Sequence, residues 1–276
     1  MNPPFTSLLR HLITLTLAVV LTQCESYNPS GERAALAAPA PSALAAPAPS
    51  AQASRSMALE ERHGLGTKLG HEMHQDTTRT HFHRRSSSVP DATATFHYND
   101  DEGARLMAAV HGRAMKHGGS FDLVPGKLRV AVKGGSSYYS QTLKHYRAGG
   151  RHFVIGTPGR SYSLVFENLT HQRMEIVVSV DGLDVLNGSP ASVRNHGYVI
   201  PARSAITIPG MRVGGVLRAF QFSSVADSRA TTAFGEKAAR NVGVIGVALY
   251  EEDEIARRRA RVEENYVRDG ARAFGN

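Results

Sequence analysis

The sequence predicts a mainly β protein, an antiparallel β-sandwich with a short helix before it and a charged helix after it. Three observations support this fold class. Apolar and polar residues alternate in short segments between residues 126 and 250, which is the two-residue period of half-buried strands. Gly, Pro, Asn and Asp separate these segments, as is typical of the turns of a sandwich. Crossover helices between the segments are missing, which argues against a parallel sheet.

The predicted sandwich domain spans residues 126–250. Its clearest strands are KLRVAVK, SYSLVFEN and MEIVVSV, and further candidates are HFVIG, DVL, GYVI, SAITI, LRAFQF and NVGVIGVALY. Alternate positions of a strand face the same side of a sheet. The residues that we therefore expect in the core are Leu128, Val130, Val132, Tyr162, Leu164, Phe166, Met174, Ile176, Val178 and Val180.

Two helices are predicted outside the sandwich. The first lies within residues 99–125, where Asn99 or Asp100 is suited to cap its N-terminus. Its expected apolar face comprises Leu106, Met107, Val110 and Ala114. The second occupies residues 251–276, where acidic residues come first and arginines follow, as the helix dipole favours. Its apolar stripe of Ile255, Val262 and Tyr266 is thin, so this helix either lies loosely on the domain or projects into solvent.

The N-terminus has the pattern of an export signal. An apolar run from Leu12 to Leu21 follows a weakly cationic start. It is shorter than the roughly 20 residues that a membrane-spanning helix needs, and it fits the apolar region of a secretory signal. We therefore predict a signal peptide over residues 1–23. The alternative is a plain signal peptide that is cleaved elsewhere and releases a soluble periplasmic or secreted protein.

The run ends in Leu21-Thr22-Gln23-Cys24, which resembles the lipobox of bacterial lipoproteins, although Gln23 replaces the small residue that is usual there. The resemblance implies cleavage before Cys24 and attachment of lipid to this cysteine, the only one in the chain. Glu25 follows, whereas an aspartate at that place typically retains a lipoprotein in the inner membrane. The resemblance therefore implies an anchor in the outer membrane rather than the inner one.

The next two segments are predicted not to form a packed core. The octamer ALAAPAPS occurs at residues 35–42 and again at 43–50. Proline fixes φ and lacks a donor, so residues 24–56 are predicted to form an extended tether. Residues 57–98 are basic and rich in histidine and show no sustained apolar period, which predicts disorder. The N-terminal third of the chain is thus expected to be largely disordered.

Histidines of the basic segment are the candidate metal ligands, because neutral imidazole suits zinc, copper and nickel. The four residues concerned are His71, His74, His81 and His83. The competing interpretation is a solvated basic linker. His71 and His74 are three residues apart, whereas the helical metalloprotease motif needs histidines four apart. No other cofactor is expected.

We predict no catalytic residue. Asp181 and Asp184 are three residues apart, a spacing at which two carboxylates can face each other across a turn, but we favour turn chemistry for one of them and a solvated position for the other. A catalytic site on the loops at one end of the sandwich would need polar groups to converge. The candidates for such a site are Asp181, Asp184, Arg212, Asp227 and Asn241.

Four sequence motifs between Gly149 and Glu251 resemble an uncharacterised family of exported bacterial β domains. They are VVSVDGLDVLNG, GYVIP, AFQFSSVADS and RNVGVIGVALYEE. The resemblance implies a β fold and export, and it implies no activity.

The charge of the chain suggests partners without naming them. Lysine and arginine outnumber acids, giving a net charge of +8, which favours polyanionic neighbours or simply serves solubility. Export makes nucleic acid an improbable partner, so the expected partners are the membrane, through the lipid anchor, and acidic envelope polymers or another envelope protein. The leading prediction is a non-enzymatic envelope lipoprotein with a binding or scaffolding sandwich. The alternatives are a periplasmic enzyme acting on envelope polymers and a metal-capture protein.

Overall fold

The computed structural model describes residues 62–135 and 140–271. The predicted signal peptide, Cys24 and the Ala/Pro tether all lie outside the described residues. The expectations for these segments therefore stay predictions.

The described chain forms two packed sheets of eight strands each, which confirms the predicted fold class. Sheet 1 comprises β1 (Leu65–Met73), β4 (Phe121–Val124), β5 (Leu128–Gly134), β6 (Gln141–Thr142), β9 (Ser161–Asn168), β13 (Ala205–Ile208), β14 (Gly210–Val213) and β15 (Val216–Ser224). Sheet 2 comprises β2 (Ala92–Asn99), β3 (Met115–His117), β7 (His145–Ala148), β8 (Arg151–Ile155), β10 (Met174–Val180), β11 (Leu183–Asp184), β12 (Tyr198–Ile200) and β16 (Val244–Glu251).

The main strand order is β1-β15-β9-β5-β4 in sheet 1 and β11-β10-β16-β2-β8-β7-β3 in sheet 2. The pairs between named strands are antiparallel except one. β2 and β8 run parallel, with His97 opposite Phe153, so sheet 2 is mixed. A parallel pair needs a long connection. Here the connection contains helix α1 (Asp101–Ala109), which follows β2 directly.

The core lies between the two sheets and contains the predicted residues. All ten residues expected there from the alternating pattern are at most 3% exposed. β10 is buried at nearly every position instead of at alternate ones. Its outer face is covered because Phe82 packs against Val177 and Tyr250. The segment before β2 therefore acts as a cover for sheet 2.

Helix α1 begins as predicted but buries a different face. The carboxylate of Asp100 accepts the N–H of Gly103 at 2.7 Å and caps the helix. Ala104 and Ala108 are fully buried against β7 and β8, whereas Leu106 and Val110 are 52% and 82% exposed. The expected role of Leu106 and Val110 in the apolar face was wrong. The two alanines face the sheet because small side chains allow the helix to lie close to it.

Two ordered strands lie in the segment for which disorder was predicted. β1 and all but the last residue of β2 fall within residues 57–98, and β1 pairs with β15 between Leu65 and Met73. This expectation was wrong for both strands, and the folded sheets begin well before residue 126. Glycine explains why β1 resembles a linker in sequence. A Cβ on Gly66 would stand 2.6 Å from the Cβ of Ser228, so close packing excludes a β-branched or aromatic side chain at this position.

Three more helices lie toward the C-terminus of the described chain. Two of them are short and connect β15 to β16, and the third follows β16. The short helices α2 (Arg229–Phe234) and α3 (Glu236–Ala239) were not predicted from the sequence. Helix α4 (Glu254–Asp269) lies in the segment predicted for the charged C-terminal helix, and the Asp253 carboxylate caps it. No residue of α4 is buried. Among the described residues, no helix combines the length and the apolar character needed to cross a bilayer.

Candidate functional site

The candidate metal ligands do not form a preassembled site. His71 is exposed on β1, His74 and His81 are exposed on the segment that leads to β2, and His83 is half-buried there. Within residues 62–135 and 140–271, no three side chains of His, Cys, Asp or Glu come together in a group that could hold a metal ion. Metal capture by these four histidines therefore stays a prediction that the geometry does not support.

Asp181 is the centre of a buried hydrogen-bond network. It occupies the turn between β10 and β11 with a φ of 55°, a left-handed conformation that aspartate tolerates. Its Oδ1 accepts the Tyr98 hydroxyl at 2.6 Å and the Gly243 N–H at 2.9 Å. Its Oδ2 accepts the Thr67 N–H at 2.7 Å. Three donors from distant parts of the chain thus satisfy this carboxylate.

The network continues as a chain of hydroxyl groups. The Tyr98 hydroxyl uses its proton on Asp181, so the Thr67 hydroxyl donates to Tyr98 at 2.7 Å. The Tyr162 hydroxyl in turn donates to Thr67 at 2.6 Å. Thr67 and Tyr162 belong to sheet 1 and Tyr98 belongs to sheet 2. The network therefore ties the two sheets together through the core.

Burial dominates the electrostatics of this network. It raises the pKa of Asp181 to about 6, although hydrogen bonds from Tyr98, Gly243 and Thr67 favour the charged form. Burial and the nearby Asp181 carboxylate raise the pKa of Tyr98 and of Tyr162 well above the usual value. A raised carboxyl pKa is common at active sites. However, Asp181 is only 2% exposed, and its accepted hydrogen bonds give it a structural role.

The second predicted carboxylate belongs to a separate hydrogen-bond system. Asp184 accepts the N–H of Leu186 at 2.7 Å and the side-chain amide of Asn195 at 2.5 Å. It thereby holds the loop after β11. Asp181 and Asp184 are thus not a pair of facing carboxylates that share one reacting group.

The other residues of the proposed loop site also have separate partners. Arg212 donates to the carbonyl of Gln75 at 2.8 Å, and Asp227 accepts the Ser224 hydroxyl at 2.8 Å. Asn241 packs beside the backbone of Gly182. The structure brings Asn241 close to the Asp181 turn, but it does not assemble the five candidate residues into one site.

Sequence reasoning missed a buried ion pair under the cover of sheet 2. Arg84 donates to both carboxylate oxygens of Glu175, at 2.7 and 2.8 Å. Its guanidinium carbon lies 3.8 Å from the centre of the Tyr250 ring. The Arg84 side chain is only 11% exposed. It therefore holds the segment before β2 against β10 and is not a free contact for polyanions.

A cluster of histidine and phenylalanine rings lies where β3, β4, β7 and β8 meet. His152 stacks on Phe121 with ring centres 3.9 Å apart, and the His145 ring centre lies 5.0 Å from that of His152. His117 stacks on His145 at 5.7 Å. No group of three or more possible ligands that could hold a metal ion is found at these rings, or elsewhere in the described residues. The arrangement favours packing over ligation.

Two histidines of this cluster, His145 and His152, are held in the neutral form. The Nδ1 atoms of His145 and His152 are buried and find no hydrogen-bond partner among the described residues. Burial, assisted by positive charge on neighbouring groups, lowers the pKa of both rings to about 4. Nothing in the sequence pattern singles out these residues, because the pairing of β3, β7 and β8 brings them together.

The most exposed apolar side chains of the described chain include those of α4. Ile255, Val262, Tyr266 and Val267 are 65% to 83% exposed. With Arg258, Arg259 and Glu263 they line one shallow surface along the helix. A helix that leaves its apolar residues in water is typical of an interaction surface. This surface, named the α4 face below, is the candidate binding site.

Known proteins provide no assignment for this arrangement. The chain matches no protein-family model, no curated protein and no solved structure. The resemblance to exported bacterial β domains accordingly stays a prediction.

Proposed function

We propose that the protein is a non-enzymatic envelope lipoprotein that presents a rigid β-sandwich for binding or scaffolding. The observation that carries the proposal is the single cysteine, Cys24, placed directly after the apolar run that ends at Leu21. Lipid on Cys24 anchors the chain, and the membrane is its first partner. Because the Leu21–Cys24 motif resembles a lipobox, the proposed location is the cell envelope, with Glu25 favouring the outer membrane.

The segment between the cysteine and the sandwich suits a spacer. The tandem octamers cover residues 35–50, and an extended Pro-rich chain spans ~3.1 Å per residue. These two repeats alone account for a reach of ~50 Å. The sandwich, whose first strand begins at Leu65, is then held clear of the membrane surface.

The absence of a proposed activity rests on how the acidic residues are used. Asp181 satisfies three donors in the core, and Asp184 holds a loop through Leu186 and Asn195. These roles support a framework that keeps its shape while its surface binds. The net charge of +8 favours acidic envelope polymers or an acidic envelope protein as further partners.

Metabolic labelling with a radioactive fatty acid tests the lipid anchor. The intact gene is expressed in a Gram-negative host, and the labelled protein is followed by electrophoresis. Label is expected in the natural chain and in the matched control Ser26→Ala, and it should disappear in Cys24→Ala. Label that persists in Cys24→Ala would overturn the proposal.

A further inference from the structure

We propose that the α4 face pairs with the α4 face of a second copy of this chain, with the two helices antiparallel. This inference names a partner for the scaffolding role, but it does not depend on the lipid anchor. It rests on the exposure of α4, on its apolar stripe and on the distribution of its charges.

The apolar stripe has the spacing of a helix–helix contact. Ile255, Val262 and Tyr266 follow one another at intervals of seven and four residues, which places them on one face of a helix. None of the sixteen residues of α4 is buried against the sandwich. The stripe is therefore free to pack against another surface.

Charge along α4 changes sign from one end to the other. The first half carries Arg257, Arg258, Arg259 and Arg261 against a single acid, Glu254, whereas the second half carries Glu263, Glu264 and Asp269 against Arg268. An antiparallel partner of identical sequence places the basic half of each helix beside the acidic half of the other. A parallel partner places like charges together, which is unfavourable.

Arg259 and Glu263 are the charges best placed to pair across such an interface. They are four residues apart, so both lie on the same flank of the apolar stripe. When two helices pack antiparallel about a point between them, the Arg259 of each chain faces the Glu263 of the other. Neither residue forms an ion pair with any described residue of its own chain; the ion pairs of α4 are Arg257 with Glu252 and Arg268 with Glu264.

The same charges favour a second copy over a membrane surface. An interfacial helix that binds anionic lipid is rich in cations on its polar face. In α4 the five arginines are nearly balanced by four acids, and Glu263 lies on the α4 face itself. A single helix pair buries a small area, so a weak, salt-sensitive dimer is expected.

A charge swap tests the pairing by sedimentation equilibrium at low salt. The protein is the full chain with Cys24→Ser, which removes the lipid site and the natural thiol. Reversing one partner, Arg259→Glu or Glu263→Arg, should weaken dimerisation at least about fivefold, because two attractive contacts become repulsive. The double variant Arg259→Glu/Glu263→Arg should restore it. The matched control is Arg261→Glu, which reverses a charge that lies off the α4 face and forms no ion pair among the described residues.

Disulfide trapping tests the orientation in the same background. Chains with Ile255→Cys and chains with Asp269→Cys, mixed in equal amounts, should form mixed disulfides in preference to like pairs. Preferred Ile255→Cys like pairs would indicate a parallel dimer and overturn the proposal. A natural chain that stays monomeric at every concentration would also overturn it, as would a monomer that binds anionic phosphatidylglycerol vesicles through α4. Because all variants change exposed residues, far-UV circular dichroism should confirm an unchanged fold.

Discussion

The hydroxyl of Tyr98 donates a 2.6 Å hydrogen bond to the carboxylate of Asp181. This contact joins strand β2 of sheet 2 to the turn after β10. It also continues, through the Thr67 hydroxyl, to Tyr162 of sheet 1. A single buried carboxylate thereby fixes the relative position of strands that are far apart in the sequence, and its removal should be costly.

Tyr98→Phe should lower the free energy of unfolding by about 1–3 kcal/mol. The substitution keeps the buried ring but removes the donor to Asp181 and the acceptor for Thr67. Urea denaturation followed by circular dichroism measures the loss. Tyr266→Phe is the matched control, because Tyr266 is 83% exposed, and its stability should change by less than about 0.5 kcal/mol. Equal losses in the two variants would contradict the structural role of Asp181.

The histidine cluster should make stability fall in mild acid. The pKa of His145 and of His152 is lowered from 6.5 to about 4 in the folded chain. Between these values the unfolded chain binds more protons, so the free energy of unfolding rises with pH. The stability that the folded chain gains from keeping these two histidines neutral is fully present above pH 6.5, and it is lost as pH falls toward 4. With partial solvent screening of the rings, ~1–2 kcal/mol per histidine is expected.

His145→Phe tests this pH dependence. The variant keeps an aromatic ring beside Phe121 but cannot be protonated. The slope of unfolding free energy between pH 4 and 6.5 should become shallower than in the natural chain. A measurement at pH 8, where both histidines are neutral, separates the effect of packing from that of charge. An unchanged slope would show that His145 is not held neutral by the fold.

Asp181 should have the opposite effect on the pH dependence of the free energy of unfolding, over nearly the same pH range. Its pKa is raised from 3.8 to about 6 in the folded chain, so the folded chain binds more protons between these values. The stability that comes from protonating Asp181 in the folded chain is fully present below pH 3.8, and it is lost as pH rises through about 6. Asp181→Asn removes this titration, so unfolding free energy should rise more steeply with pH than in the natural chain. The free energy of unfolding of the Asp181→Asn variant should be lower by roughly 2–3 kcal/mol, because the new amide nitrogen then faces a buried backbone N–H, that of Thr67 or Gly243. Denaturation curves across the pH range measure both effects, and a shallower slope would refute the assignment.

Arg84→Ala should be strongly destabilising. It leaves the Glu175 carboxylate, whose side chain is only 6% exposed, without its bidentate partner. Breaking a buried ion pair from one side costs about 3–5 kcal/mol. The neighbouring Arg85 is 52% exposed and pairs with Glu251 at the surface, so Arg85→Ala should cost at most about 1 kcal/mol. Thermal and urea denaturation of both variants provide the comparison, and similar losses would contradict a special role for Arg84.

Glu25→Asp should move the proposed lipoprotein from the outer to the inner membrane. The expectation follows from the resemblance to lipoproteins, in which aspartate after the lipidated cysteine causes retention. Density-gradient separation of the two membranes measures the distribution. Glu25→Gln is the control. It changes the same residue without introducing an aspartate, so the protein should stay in the outer membrane. Inner-membrane retention of the control as well would contradict this sorting rule for the present chain.

The sequence predicted those parts of the fold that local pattern determines. Alternation identified β5, β9 and the core residues of β10, because both periodicity and turn residues are local signals. It failed at β1, where close packing requires Gly66 and the segment therefore resembles a linker. It also failed at the apolar face of α1, because the sheet beneath selects small residues such as Ala104 and Ala108.

The buried network around Asp181 was less predictable than the strands, whereas part of the candidate binding site on α4 was predictable. The turn at Asp181 was recognised from the Asp-Gly pair, but its partners were not. Thr67 and Tyr98 are separated from it by 114 and 83 residues, and only the pairing of the sheets brings them within reach. In contrast, the thin stripe of α4 was visible in the sequence because helical spacing is itself local.

The pairing of β1 has a mechanical consequence. β1 is the first strand of the described chain and pairs with β15 over its length, interrupted by one irregularity between Leu69 and Glu72. A pull on the chain upstream of Leu65, directed along the strand, loads this ladder in shear, so its hydrogen bonds resist together instead of opening one after another. The bond from the Thr67 amide to Asp181 adds a fastening to the opposite sheet. A force applied to the chain before Leu65 is therefore resisted by the β1–β15 ladder and by the Asp181 network together.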